Sequence, residues 1–102
     1  MSLATNPQVL AEDFDFQKAI PEWTVHRAEH AITRDFVFVD FDRAFEFMTL
    51  CAAYASELDH HPEWFNVWNK VNVRLSTHSK KAITELDILM AQAMDRYAQQ
   101  IS

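Results

Sequence analysis

Three histidines are the residues of this sequence best suited to moving protons. His60 and His61 are adjacent and precede Pro62, and His78 follows downstream. Imidazole titrates near pH 6.5, so neighbouring histidines can hold different protonation states at neutral pH, one as acid and one as base. Such a set suits a reaction that delivers one proton and removes another. Whether the three meet depends on a hairpin. A two-residue turn at Asn69-Lys70 would pair residues whose numbers add to 139, Trp68 with Val71 for example, and would set His61 opposite His78. Directly opposed residues of an antiparallel pair hold their Cβ atoms about 4.5–5.5 Å apart. His60 would then be a close neighbour of both.

The same residues have plainer uses. Adjacent histidines after a helix serve equally as solvated loop residues. Three histidines also suit zinc, but adjacent residues on an extended chain point to opposite sides and no carboxylate lies at helical spacing from them, so no metal is expected. Asp87 stands three residues after Thr84, the spacing of a capping box. Trp64 and Trp68 would share one strand face, where core packing is the default; beside a histidine cluster they would also form a flat slot for a planar heterocycle.

Composition narrows the chemistry further. The 102 residues contain no glycine, where an average domain of this length has about seven. Phosphate-binding glycine loops, dinucleotide fingerprints and nucleophile elbows are thereby excluded. The net charge of −6 is unevenly spread, −8 over residues 1–63 and +2 over residues 64–102, so nucleic acid is not expected as a direct ligand. The single cysteine, Cys51, makes no internal disulfide, no apolar run approaches a membrane span, and the N-terminus lacks a signal-peptide pattern. A cytoplasmic location is expected.

The positioning elements follow from periodicity, and residues 1–102 read as a single domain. The opening Met-Ser-Leu reads as disordered or vector-derived, within a lead over residues 1–5 expected to be disordered. A short helix is expected from Asn6-Pro7 to Pro21, with Leu10, Phe14 and Ile20 in its stripe. Trp23 to Val39 predicts a β-hairpin turning near Ala28-Glu29, with Ile32, Phe36 and Phe38 on one face and Thr33, Asp35, Val37 and Val39 on the other. Asp40 caps a helix of about 17 residues whose core face is Phe41, Ala44, Phe45, Met48, Cys51, Ala52, Ala55 and Leu58. Phe47, Leu50 and Tyr54 lie beside that stripe and hint at a subunit contact. Pro62 stops the helix. Glu63–Trp68 and Val71–His78 make a second hairpin, and Thr84 caps a last helix running to about Gln100 with Leu86, Leu89, Met90, Ala93, Met94 and Tyr97 as its stripe. The order α-β-β-α-β-β-α predicts an α+β fold, a four-stranded antiparallel sheet with helices packed on one face.

The run from Leu58 through His60-His61-Pro62-Glu63-Trp64 to Trp68 and Val71, followed by Leu75-Ser76-Thr77-His78 and Asp87, resembles the pterin-4a-carbinolamine dehydratase family, whose animal members double as dimerisation cofactors of homeobox transcription factors. The resemblance reaches upstream through Pro21-Glu22-Trp23 and Asp40–Phe45, and so spans about residues 20–100. Departures are Ser56, where the family usually has a charged residue, Leu86, where some relatives carry a basic one, and Ala28, at a hairpin glycine position.

The resemblance implies dehydration of a 4a-hydroxytetrahydropterin to the quinonoid dihydropterin, in tetrahydropterin recycling, with no metal or other cofactor. It implies His60, His61 and His78 as the acid/base set. Asp59 and Asp87 would orient them or the pterin, and Pro62, Trp64, Trp68 and Trp23 would line the slot. The alternative is a non-catalytic interaction or dimerisation cofactor that binds a protein partner through its helical faces. Open sheet edges, together with the family's habits, predict a homodimer or homotetramer.

Overall fold

The computed structural model describes residues 7–101; the lead at residues 1–5 and the Asn6 cap lie outside them. Its elements are α1 (Phe16–Ala19), β1 (Thr24–His26), β2 (Ala31–Val37), α2 (Phe41–Leu58), β3 (Glu63–Val67), β4 (Lys70–Leu75) and α3 (Glu85–Ile101), with 3-10 turns at Arg27–Glu29 and His78–Lys80. The strands form one antiparallel sheet in the order β1-β2-β4-β3. This is the α+β architecture expected from the sequence.

Strand alternation sorts the sheet into two faces. Ile32, Phe36, Val71, Val73 and Leu75 turn inward and share one core with Phe47, Cys51, Ala55 and Leu58 of α2 and Leu86, Met90 and Met94 of α3. The other face, with Asp35, Val37, Phe65, Val67, Lys70 and Asn72, is exposed.

The first helix is a single turn rather than the expected span from Asn6-Pro7. Asp15 caps it, accepting from the Lys18 N–H at 3.1 Å. The preceding segment is drawn off by α3: Val9 bridges Thr84, and the Gln8 carbonyl accepts the Glu85 N–H at 3.0 Å. That N–H is one of the unpaired donors at the start of a helix, and the extended segment supplies its acceptor.

α2 begins after Asp40, whose side chain accepts from the Arg43 N–H at 2.8 Å. Its buried line is Ala44, Phe47, Cys51, Ala55 and Leu58, so the core face is rotated from the expected stripe. Phe47, expected beside the core, is at its centre, with ring centroids 4.7 Å from Phe36 and 5.0 Å from Phe38. Phe41 and Phe45, expected inside, are 45% and 55% exposed and lie against each other at 5.7 Å; Ala52 is also exposed. In α3, Ile88 is buried and Leu89 faces outward.

The second hairpin turns at Trp68-Asn69, one residue earlier than expected. Val67 pairs with Lys70 and Glu63 with Arg74, so paired numbers add to 137 rather than 139. Asn66 and Asn69 fix this register. The Asn66 amide donates to the carbonyls of Trp68 at 3.1 Å and Lys70 at 2.8 Å. Asn69 exchanges two bonds with Phe38, accepting its N–H at 2.8 Å and donating to its carbonyl at 2.8 Å. A shift of two leaves the inward set unchanged, but it removes His61 from the position opposite His78. β4 also ends at Leu75, so His78 sits in a 3-10 turn rather than a strand.

With no glycine available, four of the described residues take the left-handed backbone region at turns: His30, Asp59, Trp68 and Lys81, with φ between 49° and 55°.

Candidate active site

The end of α2 determines where the adjacent histidines go. Asp59 adopts φ 54° and its N–H bonds the Ser56 carbonyl at 3.3 Å, while the His60 N–H reaches back to Ala55 at 3.0 Å. This pair of bonds is the Schellman termination, here with aspartate in the place usually taken by glycine. The chain reverses sharply at Asp59. His60 is tucked inward, 8% exposed, whereas Asp59 and His61 remain in solvent. Pro62 then fixes the extended entry into β3.

Inside, His60 meets the first turn of α3. Its Nε2 lies 2.6 Å from Asp87 Oδ1, and Asp87 is fully buried. Asp87 Oδ2 accepts the Thr84 N–H at 2.9 Å and the Thr77 hydroxyl at 2.8 Å. Asp87 therefore makes the capping bond expected from its spacing to Thr84 and, on its other oxygen, holds a histidine. An ionised aspartate only accepts, so the His60 proton is on Nε2. The other ring nitrogen, Nδ1, is the one left to exchange protons, on a side chain that keeps 9% exposure.

His78 is 77% exposed at its side chain and has a different carboxylate. Its Nε2 lies 3.0 Å from Glu63 Oε1, while Arg74 Nε approaches Glu63 Oε2 at 3.4 Å and Arg74 Nη1 approaches Glu29 at 3.3 Å. Glu63 directly follows Pro62, so both carboxylate-bound histidines flank the same short segment.

The tryptophans are dispersed. Trp64 is half-buried on the inward side of β3, beside Val73. Trp68 is 64% exposed at the far end of that strand, six residues beyond Pro62 at about 3.3 Å each. Its departure from the ladder also ends the shared strand face expected for the pair. Trp23 is buried, its indole N–H donating to Asp95 Oδ1 at 2.9 Å, eight residues along α3 from Asp87 and so about 12 Å away at 1.5 Å per residue. Arg34 also meets Asp95, at 2.6 Å, and stacks over Phe36 at 4.4 Å. A concavity of about 630 Å³ lies at that end of the molecule, lined by Arg34, Asp95 and their neighbours, and includes none of the histidines.

The structure thus gathers His60 and Asp87, keeps Asp59, His61 and Pro62 contiguous with them, and sets His78 on Glu63. It does not bring Trp68 or Trp23 to this group. Among the described residues, no three histidine, cysteine or acidic side chains group closely enough to hold a metal ion. Thr77 and Glu63 were not singled out by sequence reasoning. The available signals were a hydroxyl on the inward face of an apolar strand and an acid two residues after His61 on an extended chain. Among the described residues, no helix is long and apolar enough to cross a membrane.

Comparison with known proteins agrees with the motif. The family model described as Pterin 4 alpha carbinolamine dehydratase matches residues 6–97. Proteins of Brucella ovis and Brucella melitensis, each named "Putative pterin-4-alpha-carbinolamine dehydratase", are 47% identical over 96 residues, covering 94% of this chain and 99% of theirs. A crystal structure of a transcriptional coactivator/pterin dehydratase from Brucella melitensis is 47% identical, with a TM-score of 0.81 over 89% of this chain and 99% of that one. The motif from His60 to Asp87, the sheet order and these matches agree: the chain belongs to the pterin-4a-carbinolamine dehydratase family.

Proposed function

We propose that the protein dehydrates a 4a-hydroxytetrahydropterin to the quinonoid dihydropterin and water, as a step of tetrahydropterin recycling in the cytoplasm. The observation that carries this reading is the His60–Asp87 pair at 2.6 Å, with exposed His61 next in sequence. The reaction needs a proton delivered to the C4a hydroxyl as it leaves and a proton removed from N5 as the C4a=N5 bond forms. Protons balance, and general acid and base groups suffice. His60, His61 and His78 are assigned that work. Asp87 holds His60, and Asp59, Pro62 and Trp64 border the pterin; Trp23 and Trp68 are too far along their elements to join them within one chain.

The test is the rate of 4a-hydroxypterin dehydration by His61→Ala and His78→Ala. Loss of about 10²–10⁴ is expected for a general acid or base, and losses under about tenfold in both refute the assignment.

A second reading, a non-catalytic interaction protein, draws on the exposed Phe41–Phe45 pair of α2 and on the coactivator description of the Brucella melitensis structure. A stoichiometric complex formed by a protein inactive on pterins would favour it. Either role is compatible with a symmetric homodimer or homotetramer, proposed from the open strand edges and the exposed face of α2. Sedimentation at micromolar concentration should show at least twice the chain mass of 11.9 kDa; a species of monomer mass alone would refute it.

A further inference from the structure

Behind Asp87 lies a buried row of hydroxyl groups to which the dehydration chemistry assigns no role. Thr77 is 4% exposed and Thr84 is fully buried. Their Oγ1 atoms are 2.7 Å apart, Thr77 reaches Asp87 Oδ2 at 2.8 Å, and the Leu86 N–H reaches Thr84 Oγ1 at 3.3 Å. Counting donors fixes the sense of every bond. A carboxylate only accepts, so the single hydroxyl proton of Thr77 goes to Asp87. The contact between the two threonines must then carry the Thr84 proton. Thr84, having given that proton away, accepts from Leu86. The row is fully used, with no donor left over, and it ends at Asp87 Oδ1 facing the Nε2–H of His60.

We infer that Thr77 is a positioning residue for His60, acting through Asp87. Two donors on Oδ2, the Thr84 N–H and the Thr77 hydroxyl, turn the carboxylate so that Oδ1 alone meets the imidazole. That contact holds the ring proton on Nε2 and leaves Nδ1 as the nitrogen that exchanges protons with a ligand. Thr84 supplies the proton that keeps the Thr77 hydroxyl aimed at Asp87. The kinetic side of this inference rests on the proposed dehydration; the tautomer side does not.

The test compares Thr77→Val, which removes the hydroxyl at nearly constant shape, with Thr77→Ser, which restores it. For Thr77→Val a fall in kcat of roughly 10- to 100-fold is expected, the scale of a misplaced catalytic group, with KM within about threefold. Thr77→Ser should recover most of it. In parallel, ring 15N shifts of His60, assigned by their loss in His60→Gln, should move from the Nε2–H pattern towards a mixture in Thr77→Val and stay in place in Thr77→Ser. Unchanged 15N shifts in Thr77→Val overturn the inference even if kcat falls, because the hydroxyl would then be acting by another route. Thr84→Val, read in the same assays, carries the test if Thr77→Val does not fold: a 15N shift supports the inference and its absence overturns it. A wild-type protein inactive on pterins would refute the proposed function while leaving the 15N comparison decisive.

Discussion

Asp87→Asn changes one atom of a buried carboxylate that has three donors around it, at 2.6, 2.8 and 2.9 Å. Hydrogen bonds to a charged acceptor are worth about 1.5–3 kcal/mol net, against about 1 for neutral pairs. The amide loses that advantage at all three contacts. Its NH2 group also meets the donor on His60, and either the clash or the shift of the ring proton that relieves it adds up to about 1–3 kcal/mol. Relief from burying a charge offsets part of the sum, leaving a destabilisation of about 2–3 kcal/mol, or roughly 10–20 °C in Tm for a domain of this size. The amide oxygen is best placed on the Thr77 and Thr84 side, where two donors wait. Its NH2 then faces His60 Nε2, which has to accept, and the ring proton moves to Nδ1. Nδ1 changes from acceptor to donor. Thermal unfolding should show the lower Tm, and steady-state dehydration of a 4a-hydroxypterin below that Tm should show a kcat reduced by about 10²–10⁴. A variant with kcat within threefold of wild type and an unchanged Tm would refute the reasoning, since neither the charge nor the tautomer would then matter.

Cys51 is fully buried and its thiol is pushed by burial up to about 12. Iodoacetamide at pH 8 should leave the native protein unmodified and add one group per chain in denaturant; rapid labelling of the native protein would refute this. Asp95 offers a pH test. Burial drives its carboxyl above the usual range, outweighing the bonds from Trp23 and Arg34. The folded chain therefore holds this proton more tightly than the unfolded one, and Asp95 subtracts stability as pH rises from the unfolded value of about 3.9 through the raised folded value. Denaturant titrations across that interval should show wild type losing ground to Asp95→Asn, and the opposite trend would refute the sign.

Much of the fold was legible because it rests on local periodicity. The strict alternation of Val71, Val73 and Leu75 predicted which side of β4 is buried, and it survived a register error because the error was an even number of residues. The register itself depends on Asn69 bonding Phe38, a contact between residues far apart in sequence. Apolar side chains surround much of α2, so its own sequence leaves the inward direction open; Phe36 and Phe38 choose Phe47 over Phe45. In the site, Asp87 was visible both as a cap and as a partner of the histidines. Glu63 as the partner of His78, and Asp95 as the partner of Trp23, were not. Each of those contacts is set by how helices and strands dock, which spacing alone does not encode.

The missing glycines shape the unfolded chain as much as the folded one. Each glycine replaced by a residue with a side chain narrows the unfolded ensemble, favouring the fold by about 0.4–1 kcal/mol. For the roughly seven glycines an average chain would carry, that is about 3–7 kcal/mol. Against it stand His30, Asp59, Trp68 and Lys81, held in a backbone region that costs a residue with a side chain about 1–2 kcal/mol. The two contributions nearly cancel. The chain gains from a stiff unfolded state over its whole length and returns that gain at four corners. One of those corners, Asp59, is the joint from which the buried and the exposed histidine part.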